Sequence, residues 1–296
     1  MLLDELRTLL ARHARADGTT AVEHVRIGRE ESQAPHASMT GTVMALIAQG
    51  AKQLALGDHV YEYRAGQYLV ASVDLPVTGH FVQATAERPA LGLGLLLQPS
   101  DIAELMVQSA PDSFAHHDTA LPALAVSDAG DDLLGAAVRL LRLLDRPRDR
   151  DVLAPLVKKE ILWHLITGEQ GATVRQIGLA DSKLSHIAQA VQWIRENYRE
   201  PFRVDDVADL IGMSTSAFYR NFQAVTGMSP IQFQKKIRLH EARLLLMAHP
   251  KDIAHIGYLV GYDSASQFSR EYRRLFGVPP SQDAVRCVAR APGPRN

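Results

Sequence analysis

Two short stretches of this chain place an arginine beside small polar and aromatic side chains at helical spacing. The fork of an arginine can donate two hydrogen bonds to guanine, and a serine hydroxyl can bond a base edge or a phosphate. Such a set suits a helix that lies in the major groove of DNA. The residues on this face are Ser216, Tyr219, Arg220 and Gln223 in the first stretch and Ala265, Ser266, Ser269, Arg270 and Arg273 in the second.

Both stretches lie in an internal repeat that occupies the last third of the chain. Gly212-Met213-Ser214 recurs as Gly261-Tyr262-Asp263-Ser264, and from the serine onward the offset is 50 residues. Upstream of that point, equivalent residues are 49 positions apart. Each copy predicts a helix, a tight glycine turn and a second helix, which is the plan of a helix-turn-helix motif.

The repeat also predicts where its helices begin and which side they bury. Ser214 and Ser264 each precede the second helix of a copy, where a hydroxyl can accept a hydrogen bond from a free amide. Apolar residues four positions apart face the core, namely Phe218 with Phe222 and Phe268 with Tyr272. The predicted helices are 204–211 and 215–226 in the first copy and 252–260 and 265–276 in the second, after an opening helix at 186–198.

A long helix from Pro230 to about Met247 connects the two copies, since proline is favoured in the first turn of a helix. Its length of roughly 27 Å would hold two recognition helices about 34 Å apart, so that they enter successive major grooves. Basic residues on this connector are candidates for phosphate contacts, although each also suits an ordinary solvated face. They are Lys235, Lys236, Arg238 and Arg243.

Charge is distributed unevenly along the 296 residues, although the net charge is only −1. Residues 1–185 hold 17 Lys and Arg against 23 Asp and Glu, and residues 186–290 hold 14 against 10. A basic module joined to an acidic one favours a polyanionic partner for the C-terminal part. The single cysteine, Cys287, excludes a disulfide within the chain, and no apolar run approaches the ~20 residues that cross a bilayer. With no signal peptide at the N-terminus, we expect a cytoplasmic protein.

The N-terminal part has the pattern of an all-β barrel or sandwich. Residues 22–109 contain short apolar or alternating runs separated by glycine turns. The Gly-x-Gly within Leu91–Leu97 has no helix behind it, so it indicates close packing in a strand and not a nucleotide loop. Amphipathic helices are predicted after the strands, at 99–109, 131–144 and 151–167, and residues 168–185 are predicted to be a linker.

The C-terminal motifs together resemble the DNA-binding domain of AraC/XylS-type transcriptional regulators. The resemblance covers residues 186–290 and implies that the base-reading positions are Ser216, Tyr219 and Arg220 in one reader and Ala265, Ser266, Ser269 and Arg270 in the other. Weaker phosphate contacts are expected from Ser214, Ser264, Lys235 and Arg273. One departure is Gly257, where the family usually has alanine, and a glycine inside a helix predicts a less stable helix.

The N-terminal part is similar to the cupin-like effector domain of one AraC-type subgroup. The similarity rests on motifs within Gln49–Lys52, Leu56–Asp58, Gln67–Val77 and Leu153–Trp163. It implies a small-molecule sensor whose later helices serve dimerisation. The chain lacks the paired histidines of metal-binding cupins, because His36, His59 and His80 stand singly. We therefore expect no metal, no cofactor and no catalytic residue.

These inferences predict an α+β multidomain protein, with an N-terminal cupin-like β-barrel followed by helices and a C-terminal all-α domain with two helix-turn-helix motifs. The expected domains are 1–130 for effector sensing, 131–180 for a helical dimerisation or linker segment and 181–290 for DNA binding. The expected partners are double-stranded promoter DNA, a small-molecule effector, RNA polymerase and a second copy of the chain, with no membrane. Two alternatives stay open, a cupin-type enzyme or a ligand-independent interaction module, each fused to a DNA-binding domain.

Overall fold

The structure is a computed structural model that describes residues 1–57, 59–109, 121–180, 182–249 and 252–284. Its backbone contacts divide the chain into two compact units. The first comprises Met1–Ala188 together with Asn221–Gly227, and the second comprises Gln189–Arg220 and the chain from Met228 onward. Cys287, the turn residue Asp58 and the end of the predicted 181–290 domain lie outside the described residues.

The first unit begins with a helix that the sequence patterns did not predict, α1 (Leu2–His13), which buries Leu6, Leu9 and Leu10. Among the described residues, nine antiparallel strands follow, with α2 (Pro99–Gln108) between the last two. The strands are β1 (Val25–Glu30), β2 (His36–Met39), β3 (Val43–Gln49), β4 (Ala51–Leu56), β5 (His59–Arg64), β6 (Gln67–Ala71), β7 (Pro76–Val82), β8 (Ala90–Leu96) and β9 (Leu124–Asp128).

The strands form two antiparallel sheets, which confirms the predicted β domain but corrects its closure into a barrel. One sheet has the order β1-β8-β3-β6-β9 and the other β2-β7-β4-β5. Among the described residues, β5 and β9 each pair with a single strand, so neither sheet closes on itself. The alternation in β8 buries Leu91, Leu93 and Leu95, and a side chain at Gly92 would lie 3.1 Å from the Leu46 carbonyl oxygen. Close packing therefore accounts for this glycine, as predicted.

Helices complete the first unit. The predicted start of one helix and the predicted linker are both wrong. α3 (Asp131–Arg142) runs into a short 3-10 turn, and α4 (Pro147–Thr167) begins at Pro147 and not at residue 151, because proline is well tolerated in the first turn of a helix. Residues 168–185 are not simply a linker, since α5 (Gly171–Gly178) lies within them. A side chain at Gly178 would lie 2.7 Å from Ile102 of α2, so this glycine permits the close approach of two helices.

The second unit is helical, in agreement with the sequence. α6 (Lys183–Glu196) leads into it and is followed by α7 (Val204–Leu210), α8 (Thr215–Thr226), α9 (Pro230–Ala248), α10 (Ile253–Leu259) and α11 (Ala265–Phe276). The last six residues of α8 belong to the first unit. A capping box between Ser229 and Gln232 starts α9 directly before Pro230. The core around the second copy of the repeat comprises Leu239, Ala242, Leu246, Ile256, Val260, Tyr262, Phe268, Tyr272 and Ala284. Among the described residues, no helix is both long and apolar enough to span a membrane.

Candidate nucleic-acid interface

The two glycine turns have the same hydrogen-bond pattern, as the repeat predicts. Gly212 and Gly261 adopt positive φ angles of 68° and 92°, which glycine reaches without steric cost. In the first turn the Met213 amide donates to the Ala208 carbonyl at 2.9 Å, and in the second the Tyr262 amide donates to the Gly257 carbonyl at 3.0 Å. Each pair of helices, α7 with α8 and α10 with α11, is therefore joined by the same kind of turn.

A serine hydroxyl caps the second helix of each copy. The Ala217 amide donates to Ser214 Oγ and the Gln267 amide donates to Ser264 Oγ, both at 3.4 Å. Ser264 Oγ also lies 2.9 Å from Ser266 Oγ. The predicted caps are confirmed, and the beginning of each recognition helix follows from them.

The buried faces of α8 and α11 are the ones that the repeat predicts. Phe218, Phe222, Phe268 and Tyr272 are fully buried. In the second copy the Phe268 ring lies 5.4 Å from the Tyr262 ring and 5.6 Å from the Tyr272 ring, between their centroids. Such edge-on and tilted contacts stabilise aromatic pairs beyond the area that they bury. These faces set the rotation of each helix about its axis.

The opposite faces carry the predicted base-reading residues, and most of these are exposed. Ser216, Tyr219 and Arg220 are exposed on α8, where Tyr219 keeps 40% of its surface accessible. On α11, Ser266 and Arg270 are exposed, while Ala265 and Ser269 are partly buried. Arg273, a candidate phosphate contact, is exposed in the last turn of α11.

Both connector arginines, Arg238 and Arg243, bind groups within the protein. This corrects the expectation that they meet phosphates. The Arg238 guanidinium donates to the carbonyls of Tyr198, Arg199 and Gly261, at 2.6, 3.0 and 2.6 Å. Arg243 pairs with Asp283 at 2.8 Å and lies over the Phe276 ring. Backbone carbonyls and a buried carboxylate take up these two charges inside the second unit. The remaining connector cations are partly buried, and Lys235 lies 3.0 Å from Glu271.

Gly257 has a packing reason that the sequence did not reveal. A Cβ atom at this position would lie 3.0 Å from Cδ1 and 3.2 Å from Cγ of the buried Phe268 ring. Alanine would therefore crowd α10 against α11, and overpacking of a core costs about 1–3 kcal/mol. That cost offsets the ~1 kcal/mol that alanine gains in an isolated helix. Close packing against Phe268 thus gives a reason for glycine at this position, and the lower stability of α10 stays a prediction.

Comparison with known protein families shows where this chain belongs. The family profile described as the AraC-type transcriptional regulator N-terminus matches residues 21–173, which is more than half of the chain. The chain belongs to the AraC-type transcriptional regulators. A second profile, described as a helix-turn-helix domain, matches residues 207–284 of this regulator and includes both copies of its repeat.

Several curated proteins are similar to this AraC-type chain. The transcriptional regulator ArgR of Pseudomonas aeruginosa is 28% identical over 144 residues, which cover 49% of this chain and 44% of ArgR. The virulence regulon transcriptional activator VirF of Yersinia enterocolitica is 30% identical over 155 residues, which cover 51% of this chain and 55% of VirF. The matched segments thus span about half the length of these curated relatives.

Among solved structures, ToxT from Vibrio cholerae shares the fold. A point variant of ToxT in its apo form matches with a TM-score of 0.56 at 10% identity, and the match covers 90% of this chain and 99% of that one. ToxT bound to an unsaturated fatty acid matches with a TM-score of 0.53 at 12% identity, covering 88% of this chain and 94% of ToxT. At this level of identity the likeness concerns the fold alone.

Two interior polar residues of this AraC-type regulator were not singled out from the sequence. Glu271 accepts hydrogen bonds from three side chains on α9, α11 and the second turn. His240 on α9 is 7% exposed and contacts the Phe276 ring. The signal for His240 was present, because Phe233, Ile237 and His240 have the i, i+4, i+7 spacing of a buried helix face. Among the described residues, no group of three or more histidine, cysteine or acidic side chains could hold a metal ion.

Proposed function

We propose that this regulator recognises a specific double-stranded promoter sequence through α8 and α11, which enter the major groove. The observation that carries the proposal is the pair of matching glycine turns, each followed by a serine-capped helix with an exposed arginine on its outer face. Arginine is the residue that most often reads guanine in the major groove. The helix caps support phosphate binding as well, because helix N-termini attract anions.

The two copies offer different outer faces, so we propose that one chain recognises an asymmetric DNA site. The base-reading residues are Ser216, Tyr219 and Arg220 on α8 and Ala265, Ser266, Ser269 and Arg270 on α11. Because tyrosine lies beside arginine in one copy and serines lie beside arginine in the other, we expect the two copies to favour different bases. The proposed phosphate contacts are Ser214, Ser264, Lys235 and Arg273, and of these Lys235 would have to share its ammonium with Glu271.

Replacing either reading arginine by alanine should weaken specific DNA binding by about 1–3 kcal/mol, or roughly 5- to 150-fold, and relax base preference at one position. Arg220→Ala and Arg270→Ala would be compared in binding titrations with a DNA fragment that the wild-type chain selects from a random-sequence pool. Arg64→Ala, which removes an exposed arginine from β5, is the matched control and should bind like the wild type. If folded Arg220→Ala and Arg270→Ala also bind like the wild type, the reading assignment is wrong.

We further propose that residues 1–130 bind a small-molecule effector, that 131–180 form a helical dimerisation segment and that 181–290 bind DNA. The fold of ToxT, solved with an unsaturated fatty acid bound, supports an effector site in the first of these. The interior of the sheets offers Lys52 on β4, whose ammonium lies 5.0 Å from the Phe81 ring centroid. A thermal-shift screen of the whole chain against metabolites tests this. No shift with any compound would favour the ligand-independent module.

A stripe of exposed apolar side chains on α4 supports the proposed homodimer. The stripe comprises Val152, Leu153, Leu156 and Trp163, which lie within about 100° of one another around the helix at 100° per residue. Exposed apolar patches on a folded domain commonly mark an interface. We expect Leu156→Asp to convert a dimer to a monomer in sedimentation equilibrium, and Val107→Asp, at a more exposed site on α2, to leave the dimer intact. A dimer that persists in Leu156→Asp would exclude the stripe.

We propose that the chain regulates transcription without catalysing a reaction, with RNA polymerase as a further partner at the promoter. Transcription from the selected DNA fragment by purified polymerase, with and without the chain, tests the second part, and equal transcript levels would contradict it. The alternative of a cupin-type enzyme requires a metal. Metal analysis that finds a stoichiometric ion in the purified chain would favour that alternative.

A further inference from the structure

The recognition helix of the second copy, α11, carries a carboxylate that accepts three hydrogen bonds. We call this helix the second reader and α8 the first reader. Glu271 on α11 accepts from Lys235 Nζ of α9 at 3.0 Å, from the Tyr262 hydroxyl at 2.8 Å and from Gln267 Nε2 at 3.2 Å. Its side chain is 14% exposed. The first two bonds cross between elements, from the connector helix and from the end of the glycine turn to the recognition helix. We call Glu271, Lys235 and Tyr262 the carboxylate clamp.

The hydrogen-bond donors around Glu271 determine the ionisation of its carboxyl group. Burial raises the pKa of Glu271, but hydrogen bonds from Lys235, Tyr262 and Gln267 outweigh burial, and the net result is a lowered pKa. The carboxylate is therefore ionised at neutral pH. Charge-assisted hydrogen bonds of this kind are about twice as strong as neutral ones and more demanding in geometry.

A second set of bonds attaches the same turn to the rest of the domain. Arg238 of α9 donates to the Gly261 carbonyl at 2.6 Å, one residue before Tyr262, and also to the carbonyls of Tyr198 and Arg199. The Tyr262 ring packs against Phe268 on the buried side of α11. The turn and the beginning of the second recognition helix are thus attached to α9 at two points.

The first copy of the repeat has neither the acid nor the phenol of the clamp. The 50-residue offset places Asn221 at the position of Glu271, and the 49-residue offset places Met213 at the position of Tyr262. An amide carries no charge and a thioether donates no hydrogen bond. The scaffold residues of the repeat are shared, but the acid and the phenol that form the clamp are found in the second copy and not at the equivalent positions of the first.

We propose that Glu271 is a positioning residue for the second reader, which orients α11 so that Arg270 reaches its base without reordering. Arg270 and Glu271 are neighbours on α11, and Arg270 is the exposed one of the two. This inference rests on the proposed function, because it takes Arg270 to read a base. A reader that is held in its bound orientation loses less entropy on binding. The second half-site should therefore discriminate between bases more sharply than the first.

A pair of double-mutant cycles tests the proposal on the full chain, with the DNA fragment selected by the wild type. Glu271→Gln keeps the shape of the side chain and removes its charge, and we expect it to weaken binding about tenfold. Added to Arg270→Ala, it should cost much less than tenfold, because the residue that it positions is gone. Added to Arg220→Ala in the first reader, it should keep its full cost. This difference between the two cycles is the signature of positioning.

A purely structural role for Glu271 would give a different pattern. General loosening of the domain would weaken binding equally in the Arg220→Ala and Arg270→Ala backgrounds, and that outcome would overturn the proposal. Lys235→Met breaks the same ion pair and should reproduce the coupling to Arg270. If Glu271→Gln does not fold, Tyr262→Phe removes one bond of the clamp and can be carried through both cycles. Coupling to Arg270 alone supports the proposal, and additivity with both arginines contradicts it.

The failure of this inference can be told apart from a failure of the proposed function. If Arg270→Ala has no effect on DNA binding, the reading assignment itself fails. If Arg270→Ala weakens binding but Glu271→Gln is additive with it, then only the positioning role of Glu271 is lost. Base preference at the second half-site gives an independent readout, since Glu271→Gln should relax it and leave the first half-site unchanged.

Discussion

Gly261→Ala should destabilise the second unit by about 3 kcal/mol or more, whereas Gly212→Ala at the equivalent turn should cost only about 1–2 kcal/mol. Both glycines have positive φ angles, so alanine is strained at either position. At Gly261 the added Cβ would also collide with the Arg199 carbonyl oxygen and lie 2.9 Å from Cζ of Arg238. Around Gly212, apart from its own chain neighbours, no heavy atom of the described residues lies within 4 Å of such a Cβ.

The collision at Gly261 has no easy relief. The Arg199 carbonyl is backbone, and it already accepts a hydrogen bond from Arg238, which also binds the Gly261 carbonyl. Moving either group would break bonds that join α9 to the second turn and to the segment after α6. The expected loss therefore adds the strain of a left-handed alanine to the cost of overpacking.

Urea unfolding followed by tryptophan fluorescence measures the two effects. Trp163→Phe leaves Trp193 as the reporter, and its ring contacts Phe202 within the second unit. In that background Gly212→Ala is the matched control for Gly261→Ala, because it carries the same backbone strain without the collision. Equal losses of stability in the two variants would show that the contact with Arg199 does not matter.

Acidification should destabilise the second unit through His240 by as much as about 3 kcal/mol. Burial, with smaller contributions from the charges of Lys236 and Arg243, lowers the pKa of His240 from 6.5 to about 4. The unfolded chain therefore binds more protons than the folded chain between pH 6.5 and 4. Stability from the neutral imidazole is present above pH 6.5 and is lost as the pH falls through this window.

His240→Leu isolates this contribution, because it removes the titrating group at similar volume and with it a buried Nε2 atom that has no hydrogen-bond partner among the described residues. Unfolding free energies at pH 7.5 and pH 5, again reported by Trp193, should fall less in His240→Leu than in the wild type. His255→Leu, which replaces an exposed histidine on α10, should keep the wild-type dependence. A wild-type pH dependence in His240→Leu would contradict the assignment.

Local rules were enough to predict most of the second unit from its sequence. The starts of α8 and α11 follow from Ser214 and Ser264, because a capping hydroxyl acts within one helical turn. The buried faces follow from residues four positions apart. The first unit is harder to predict from its sequence. The sequence patterns indicate neither α1 nor β9, and they indicate a linker where α5 lies. Short elements of this kind are stabilised by partners far away in sequence, which periodicity within one segment does not report.

The candidate site also contains residues whose placement follows from sequence spacing and residues whose partners only the fold reveals. Spacing alone placed Arg220 and Arg270 on outer helix faces, and the exposed positions of both agree with it. The same reasoning predicts phosphate contacts for Arg238 and Arg243. The position of a basic residue along a helix does not reveal whether its side chain meets solvent or a buried carbonyl. Only the folded chain distinguishes them, since their partners are the Gly261 carbonyl, 23 residues beyond Arg238, and Asp283, 40 residues beyond Arg243.

By itself the sequence determined the repeat, the glycine turns, the caps and the two outward arginines, because each depends on contacts within a few residues along one helix. Tertiary structure alone decided which contacts join the helices of the second copy to their neighbours. It brought the Arg199 carbonyl against Gly261 and Phe268 against Gly257, and it joined Lys235 and Tyr262 to Glu271. These contacts join residues 9 to 62 positions apart, and their geometry is set by how the helices pack and not by the pattern within any one of them.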